Sequence, residues 1–119
     1  MVVKHSDEVE SKIVDHAVST RIQWLLDRHD GVPNFELRKF RIAPGGRILK
    51  HLHPDVEHEQ YVLKGSYVVG IGDTVHSVKP GDVLYIPAGT PHWYENNGEE
   101  DVEFLCIIPR RDKYDSKYL

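Results

Sequence analysis

Three of the eight histidines fall within the short stretch HLHPDVEHEQ, which begins at His51. His51 and His53 alternate, so on a β-strand both side chains would point to one face, about two residues of rise apart. Two imidazoles in that arrangement can bind one metal ion, because neutral imidazole is a good ligand for divalent transition metals. His58 would add a ligand from the partner strand of a hairpin, with Pro54 and Asp55 forming the reversal.

A second histidine setting occurs in GDVLYIPAGTPHWYEN, which begins at Gly81. There an apolar run leads through a turn that contains proline and glycine to His92. If a barrel brings this segment beside the first one, four imidazoles converge on one ion. Four histidines accept most late divalent ions. The residues therefore predict one divalent transition metal ion per chain, Mn, Fe, Cu, Ni or Zn, without choosing among them.

The elements that must position these histidines are short apolar runs separated by turn formers. From Arg21 onward the runs are RIQWLLD, NFELRKFRI, EQYVLKGSYVVGI, TVHSV, DVLYIP and VEFLCIIP. Short runs rich in Val, Ile, Tyr and Phe are typical of β-strands, and PG at residues 80–81 suits a type II turn. Because strands must pair their edges and bury one face, the pattern predicts an all-β antiparallel sandwich or barrel. Residues 8–20 fit either a weak helix or an extra strand.

Composition limits the classes of function. The 119 residues suffice for one domain and are too few for two ordinary ones. A net charge of -4 gives no basic field, which argues against a nucleic-acid partner. No apolar run reaches the roughly 20 residues that span a bilayer, which argues against a membrane partner. The single cysteine, Cys106, allows no intrachain disulfide and fits a cytoplasmic protein.

The two histidine segments together resemble the two signature motifs of the cupin family, small β-barrels that carry a metal ion in the barrel mouth. The first motif reads Gly45, five residues, His51, one residue, His53, four residues, His58, six residues, Gly65. The second reads Gly81, five residues, Pro87, one residue, Gly89, two residues, His92, three residues, Asn96. The resemblance implies a single-domain cupin double-stranded β-helix, or jelly-roll barrel, over residues 21–112. Residues 1–20 would then be an N-terminal segment, partly flexible or a swapped strand, and residues 113–119 a C-terminal tail.

At one position the sequence departs from the usual cupin pattern. Most metal-binding cupins carry a glutamate where His58 stands, whereas a subgroup of small cupins binds metal through four histidines. The resemblance to that subgroup implies four metal ligands: His51, His53, His58 and His92. Glu57 is the reserve ligand or a hydrogen-bond partner for the imidazoles. Strand parity favours His58, because it shares a face with Gln60 and Val62 while Glu57 lies on the other.

Six further residues are candidates for the substrate pocket: Arg38, Gln60, Tyr94, Phe104, Cys106 and Ile108. In the last strand, VEFLCIIP, alternation places Phe104, Cys106 and Ile108 inward, where they either line the pocket or pack in the core. Arg38 would meet an anionic substrate if it faces inward and would be solvated otherwise. Of Trp93 and Tyr94, one should shape the pocket rim and the other should pack outside.

The resemblance implies two classes of function. The first is an enzyme that acts on a small oxygenated organic molecule at an open metal position, dioxygenase-like or else isomerase-like or lyase-like. Four neutral imidazoles leave the charge of a divalent ion uncompensated, which favours an anionic or enolate-like ligand. The alternative is a non-catalytic cupin that binds a sugar or an effector. In either case we expect a homodimer, with residues 21–26 as the candidate contact.

Overall fold

The prediction of an all-β fold is confirmed. The computed structural model describes residues 1–119 and forms ten β-strands. The strands are β1 (Ser11–Ile13), β2 (Ala17–Leu26), β3 (Phe35–Leu52), β4 (His58–Lys64), β5 (Tyr67–Ile71), β6 (Thr74–Val78), β7 (Val83–Ile86), β8 (His92–Glu95), β9 (Val102–Pro109) and β10 (Lys117–Tyr118). Helical structure is limited to two short 3-10 turns, Ser6–Glu8 and Arg28–Asp30. No helix has the length and apolar character needed to cross a bilayer.

Strand β3 runs through both halves of the curled sheet. Along one side it pairs antiparallel with β2. Along the other side it pairs first with β9, as far as Ile42, and then with β8, starting at Arg47. The partner changes beside Gly45, whose φ of 79° is a left-handed conformation that favours glycine. The change of partner curls the sheet so that its two halves enclose one interior.

Alternate side chains along the strands point into that interior, as strand parity predicts. On β4, His58, Gln60 and Val62 are buried, whereas Glu59 and Tyr61 are exposed. The inward face of β9 is equally regular, and Val102, Phe104, Cys106 and Ile108 are all buried. At the centre, the Phe104 ring centroid lies 5.1 Å from those of Phe40 and Tyr94. These rings form an apolar layer of the core next to the histidines.

The expected hairpin between the strands of His53 and His58 is wrong. β4 pairs with β7 and β9, and β9 lies between β3 and β4 in the sheet. A turn does occur at residues 54–55, but the chain then crosses to the other side of the barrel. The strand next to His51 is β8, in which His92 is its direct Cα partner.

Both ends of the chain are paired with its own strands. The segment 1–20 contains β1 and the first part of β2, and β2 continues to Leu26 without a break at residue 21. The tail 113–119 contains β10, whose Lys117 and Tyr118 pair with the end of β3. The barrel mouth therefore lies beneath the C-terminal tail.

Candidate metal centre

Three histidines meet at the mouth of the barrel. His51 ends the inward face of β3, His92 begins β8 directly opposite, and His53 follows β3 by one residue. One ring nitrogen from each lies within 4.8 Å of the other two. The ring centroids of His51 and His92 are 4.3 Å apart, and those of His51 and His53 are 4.9 Å apart. This spacing lets three imidazoles face one ion.

Backbone carbonyls fix the orientation of two of these rings. The Nδ1 atom of His51 lies 2.7 Å from the carbonyl oxygen of Leu49, and Nδ1 of His92 lies 2.9 Å from that of Thr90. A carbonyl oxygen can only accept, so each Nδ1 carries the proton and donates it. The Nε2 atoms are then left with free lone pairs, which is the tautomer that a metal ligand needs.

The C-terminal tail orients the third ring. Nδ1 of His53 lies 3.1 Å from the carbonyl oxygen of Asp115 and 3.1 Å from Oγ of Ser116. The Asp115 carbonyl accepts the Nδ1 proton, so Nε2 of His53 is also left free to bind a metal. The sequence does not indicate this role of residues 113–119. The tail carries no motif, and its contact with His53 is created only by the tertiary fold.

Burial keeps the three imidazoles neutral. It lowers the pKa of His53 to about 4 and that of His92 to about 3, and it also lowers the pKa of His51. Desolvation opposes the charged form of each ring because the barrel interior cannot hydrate an imidazolium. At neutral pH the three rings therefore present lone pairs without first having to lose protons.

His58 lies beside this cluster with a different set of contacts. Its ring centroid is 4.9 Å from that of His53 and 5.1 Å from that of His92. Its Nδ1 atom lies 3.3 Å from Nη2 of Arg38 and 3.5 Å from Sγ of Cys106, and its buried Nε2 has no partner. Because a guanidinium can only donate, this contact makes Nδ1 the acceptor and places the ring proton on Nε2. Burial and then the Arg38 charge lower the pKa of His58 to about 2.

Glu57 lies outside the cluster. It is exposed and does not line the cavity beside the histidines. Desolvation, and then the neighbouring Glu57 carboxyl group, raise the pKa of Glu59 to about 7. The structure thus separates His58, which faces the interior, from its acidic neighbours.

Arg38 is buried and lines the cavity, which is the inward-facing alternative of the two that the sequence left open. Its Nη2 atom donates to Sγ of Cys106 at 2.9 Å. The guanidinium carbon lies 5.3 Å from the ring centroid of Trp24 and 5.0 Å from that of Phe40. Both rings stabilise the cation through cation–π contacts.

A cavity of about 340 Å³ opens beside the histidines. Its walls include all four histidines and Trp24, Arg38, Phe40, Gln60, Tyr94, Cys106 and Tyr118. Of the other pocket candidates, Phe104 and Ile108 do not line it and pack in the core. Tyr94 faces the cavity, while Trp93 covers Gly70, where an added Cβ would collide with the indole ring. Trp24 and Tyr118 were not identified from the sequence, although alternation on β2 could have indicated Trp24.

Comparison with known proteins places this geometry in a family. Residues 38–108 match the cupin domain family. The structure superimposes on the polyketide cyclase RemF from Streptomyces resistomycificus with a TM-score of 0.90 and 31% identity, over 100% of this chain and 85% of RemF. It superimposes on a predicted oxalate decarboxylase from Thermotoga maritima with a TM-score of 0.82 and 23% identity, over 92% of this chain and 100% of that one. The second likeness concerns the fold alone.

Curated relatives match over a shorter span. SchB from Streptomyces halstedii is 33% identical over 75 residues, which are 60% of this chain and 54% of SchB. The chain spans about half the length of the first curated relatives that it matches. Because the family match covers more than half of the chain and includes all four clustered histidines, this protein belongs to the cupin family.

Proposed function

We propose that this protein is a metal-dependent enzyme that acts on a small, enolisable oxygenated molecule. The observation that carries the proposal is the convergence of three neutral imidazoles, His51, His53 and His92, at the mouth of a cavity with aromatic walls. Each of them donates its Nδ1 proton to a backbone carbonyl, which leaves three Nε2 lone pairs for one ion. Three nitrogen ligands with an open position are typical of catalytic metal sites.

The donor set fits one divalent transition metal ion, Mn, Fe, Cu, Ni or Zn. We propose that His51, His53 and His92 form the core of the site and that His58 is a weaker fourth ligand. The buried, unpartnered Nε2 of His58 supports this role. To bind through Nε2, His58 must move its proton to Nδ1, which weakens its contact with Arg38. That cost makes His58 the weakest of the four ligands.

Tyr94, in the cavity wall, can hold a proton beside the substrate. Nε2 of Gln60 donates to the hydroxyl oxygen of Tyr94 at 2.7 Å, so the Tyr94 proton is free to point into the cavity. Burial raises the pKa of Tyr94 well above its ordinary value, so the hydroxyl stays protonated. A bound divalent ion would polarise a substrate carbonyl as a Lewis acid. Tyr94 would donate a hydrogen bond to an adjacent substrate oxygen.

Redox-neutral chemistry of the isomerase or lyase type is the reaction class that we favour. The likeness to the polyketide cyclase RemF extends over this whole chain, and it supports cyclisation or dehydration of a chain bearing several carbonyl groups. Dioxygenase-like chemistry at the same ion is the second enzymatic candidate. A sugar-binding or effector-binding cupin without turnover is the non-catalytic alternative.

Oxygen dependence separates these candidates. Protein purified without a histidine tag is loaded with each metal in turn and incubated with β-diketones, enediols and flavonoid-like compounds, in air and under argon. The proposal predicts product formation that is equal in the two atmospheres, without oxygen uptake. Oxygen consumption in step with product would establish the dioxygenase. Tight binding without any turnover would establish the non-catalytic alternative.

We also propose a cytoplasmic homodimer. The expected contact at residues 21–26 is occupied within the chain, because β2 pairs with both β1 and β3. β7 has only one pairing partner, β4, and it exposes Val83 and Tyr85 beside exposed Tyr61. This apolar sheet edge supports self-association. Light scattering of the purified protein measures it, and a monomeric mass would contradict it.

A further inference from the structure

We propose that Arg38 is the anion-binding residue of the cavity and that the ligand is a small organic carboxylate with a planar apolar body. This inference deepens the proposed function and rests on it for the neighbouring metal. It names the chemical class of the molecule that the cavity accepts. Its evidence comes from the charge, the unused hydrogen-bond donors and the walls around Arg38.

The charge of Arg38 is unpaired in the protein. None of the ion pairs in the structure includes it. Glu36, buried on the same face of β3, accepts hydrogen bonds from the Arg28 backbone N–H and the Tyr114 hydroxyl instead. The only acid in the cavity wall is Asp15, which is exposed. A buried cation without a counter-charge is costly, and an anionic ligand would offset that cost.

Donors and acceptors next to this charge are also unused. Arg38 donates only through Nη2, which leaves Nε buried without a partner and Nη1 without a hydrogen bond to the protein. Oε1 of Gln60 is likewise buried and unpartnered. Buried polar atoms are nearly always satisfied in folded proteins, so two such atoms beside one cavity indicate a missing ligand or water. The planar guanidinium matches the two oxygens of a carboxylate.

The walls of the cavity define the rest of the ligand. Trp24 and Phe40 both contact the guanidinium, and its hydrogen bond to Cys106 helps to hold its position before a ligand arrives. Together with Tyr94 they offer flat apolar surfaces. A volume of about 340 Å³ lies at the small end of the range for ligand pockets. An aromatic or conjugated carboxylate matches both the walls and the size.

Arg38 is close enough to the metal centre to act on the same molecule. Its Nη2 atom contacts the His58 ring, and that ring lies between Arg38 and His53 and His92. The His58 imidazole therefore separates the cation from His53 and His92, two of the three core metal ligands. A ligand held by its carboxylate at Arg38 would present its other oxygens to the ion.

The test uses benzoate as the anionic probe and benzamide as its neutral counterpart. Binding is measured by calorimetry at neutral pH, on the metal-free protein and on the zinc-loaded protein. We expect the unmodified protein to bind benzoate about 10- to 100-fold more tightly than benzamide, because a hydrogen bond to a charged group discriminates by that amount. Arg38→Met should remove this preference. Arg41→Met, which replaces an exposed arginine on the same strand, should retain it.

The outcomes separate this inference from the proposed function. Equal affinity for the two probes, or no binding of either, in the unmodified protein would overturn the role of Arg38, whether or not Arg38→Met folds. A benzoate preference that persists in a folded Arg38→Met variant would overturn it as well. If the protein takes up no metal yet prefers benzoate through Arg38, the metal proposal fails and the anion site stands. If the protein takes up metal but binds benzoate and benzamide equally, the anion site fails and the metal proposal stands.

Discussion

Acid should destabilise the metal-free protein steeply, because the clustered histidines are neutral when folded. Burial lowers the pKa values of His53, His92 and His58 to about 4, 3 and 2, from an ordinary value of 6.5. Below pH 6.5 the unfolded chain binds protons that the folded chain does not bind. Stability is therefore present above that pH and is lost as the pH falls towards the folded pKa values.

The expected loss is large. One pH unit below the ordinary pKa, each of these three histidines costs about 1.4 kcal/mol, or roughly 4 kcal/mol together. Total folding free energies are only about 5–15 kcal/mol. Urea unfolding of chelator-treated protein, followed by tryptophan fluorescence at several pH values between about 7.5 and 5.5, measures the slope.

Two variants isolate the contribution of the cluster. His92→Gln removes one titrating group, so the unfolding free energy lost between pH 7.5 and 5.5 should shrink by about 1.4 kcal/mol. His76→Gln, an exposed histidine on β6, is the matched control and should leave the slope nearly unchanged. If the unmodified protein and His92→Gln show the same slope, the cluster is not held neutral by burial and the reasoning is refuted.

Three further predictions concern the supports of the site. Deleting residues 113–119 removes both hydrogen-bond partners of His53 Nδ1, so zinc affinity should fall about 10- to 100-fold. Competition with a chromophoric chelator measures this affinity, and an unchanged value would show that the tail has no role. His58→Gln should weaken zinc binding about tenfold while the control Glu57→Gln should not, and the opposite ranking would make Glu57 the ligand. Asn96→Ala removes three hydrogen bonds to backbone atoms and should lower the free energy of unfolding in urea by about 1–3 kcal/mol. A loss well below this would contradict the structural role of Asn96.

The sequence was sufficient to predict the fold class and the clustered histidines of the site. Strand period and turn residues predict an all-β sandwich or barrel, and the resemblance to the two cupin motifs implies the convergence of His51, His53 and His92. Parity also places His58 inward and Glu57 outward. These predictions depend on local geometry, in which a period of two residues fixes the face of each side chain.

Contacts that depend on the whole fold were harder to predict from the sequence. Arg38 shares its strand face with Phe40 and Ile42, and this pattern could have indicated burial, but a lone arginine is usually solvated. The hairpin expected at His58 failed because nearness in sequence does not determine which strands pair. The contact of Ser116 with His53 joins residues far apart in the chain and has no local signal.

Native mass spectrometry of tag-free protein titrated with Mn²⁺, Fe²⁺, Ni²⁺, Cu²⁺ and Zn²⁺ tests the central claim most directly. The account predicts that at least one of these metals binds with one ion per chain. It also predicts that His51→Ala and His92→Ala abolish this binding, while circular dichroism shows an intact barrel. Failure of the unmodified protein to bind any of the five ions would contradict the account, and so would equal binding by the folded alanine variants.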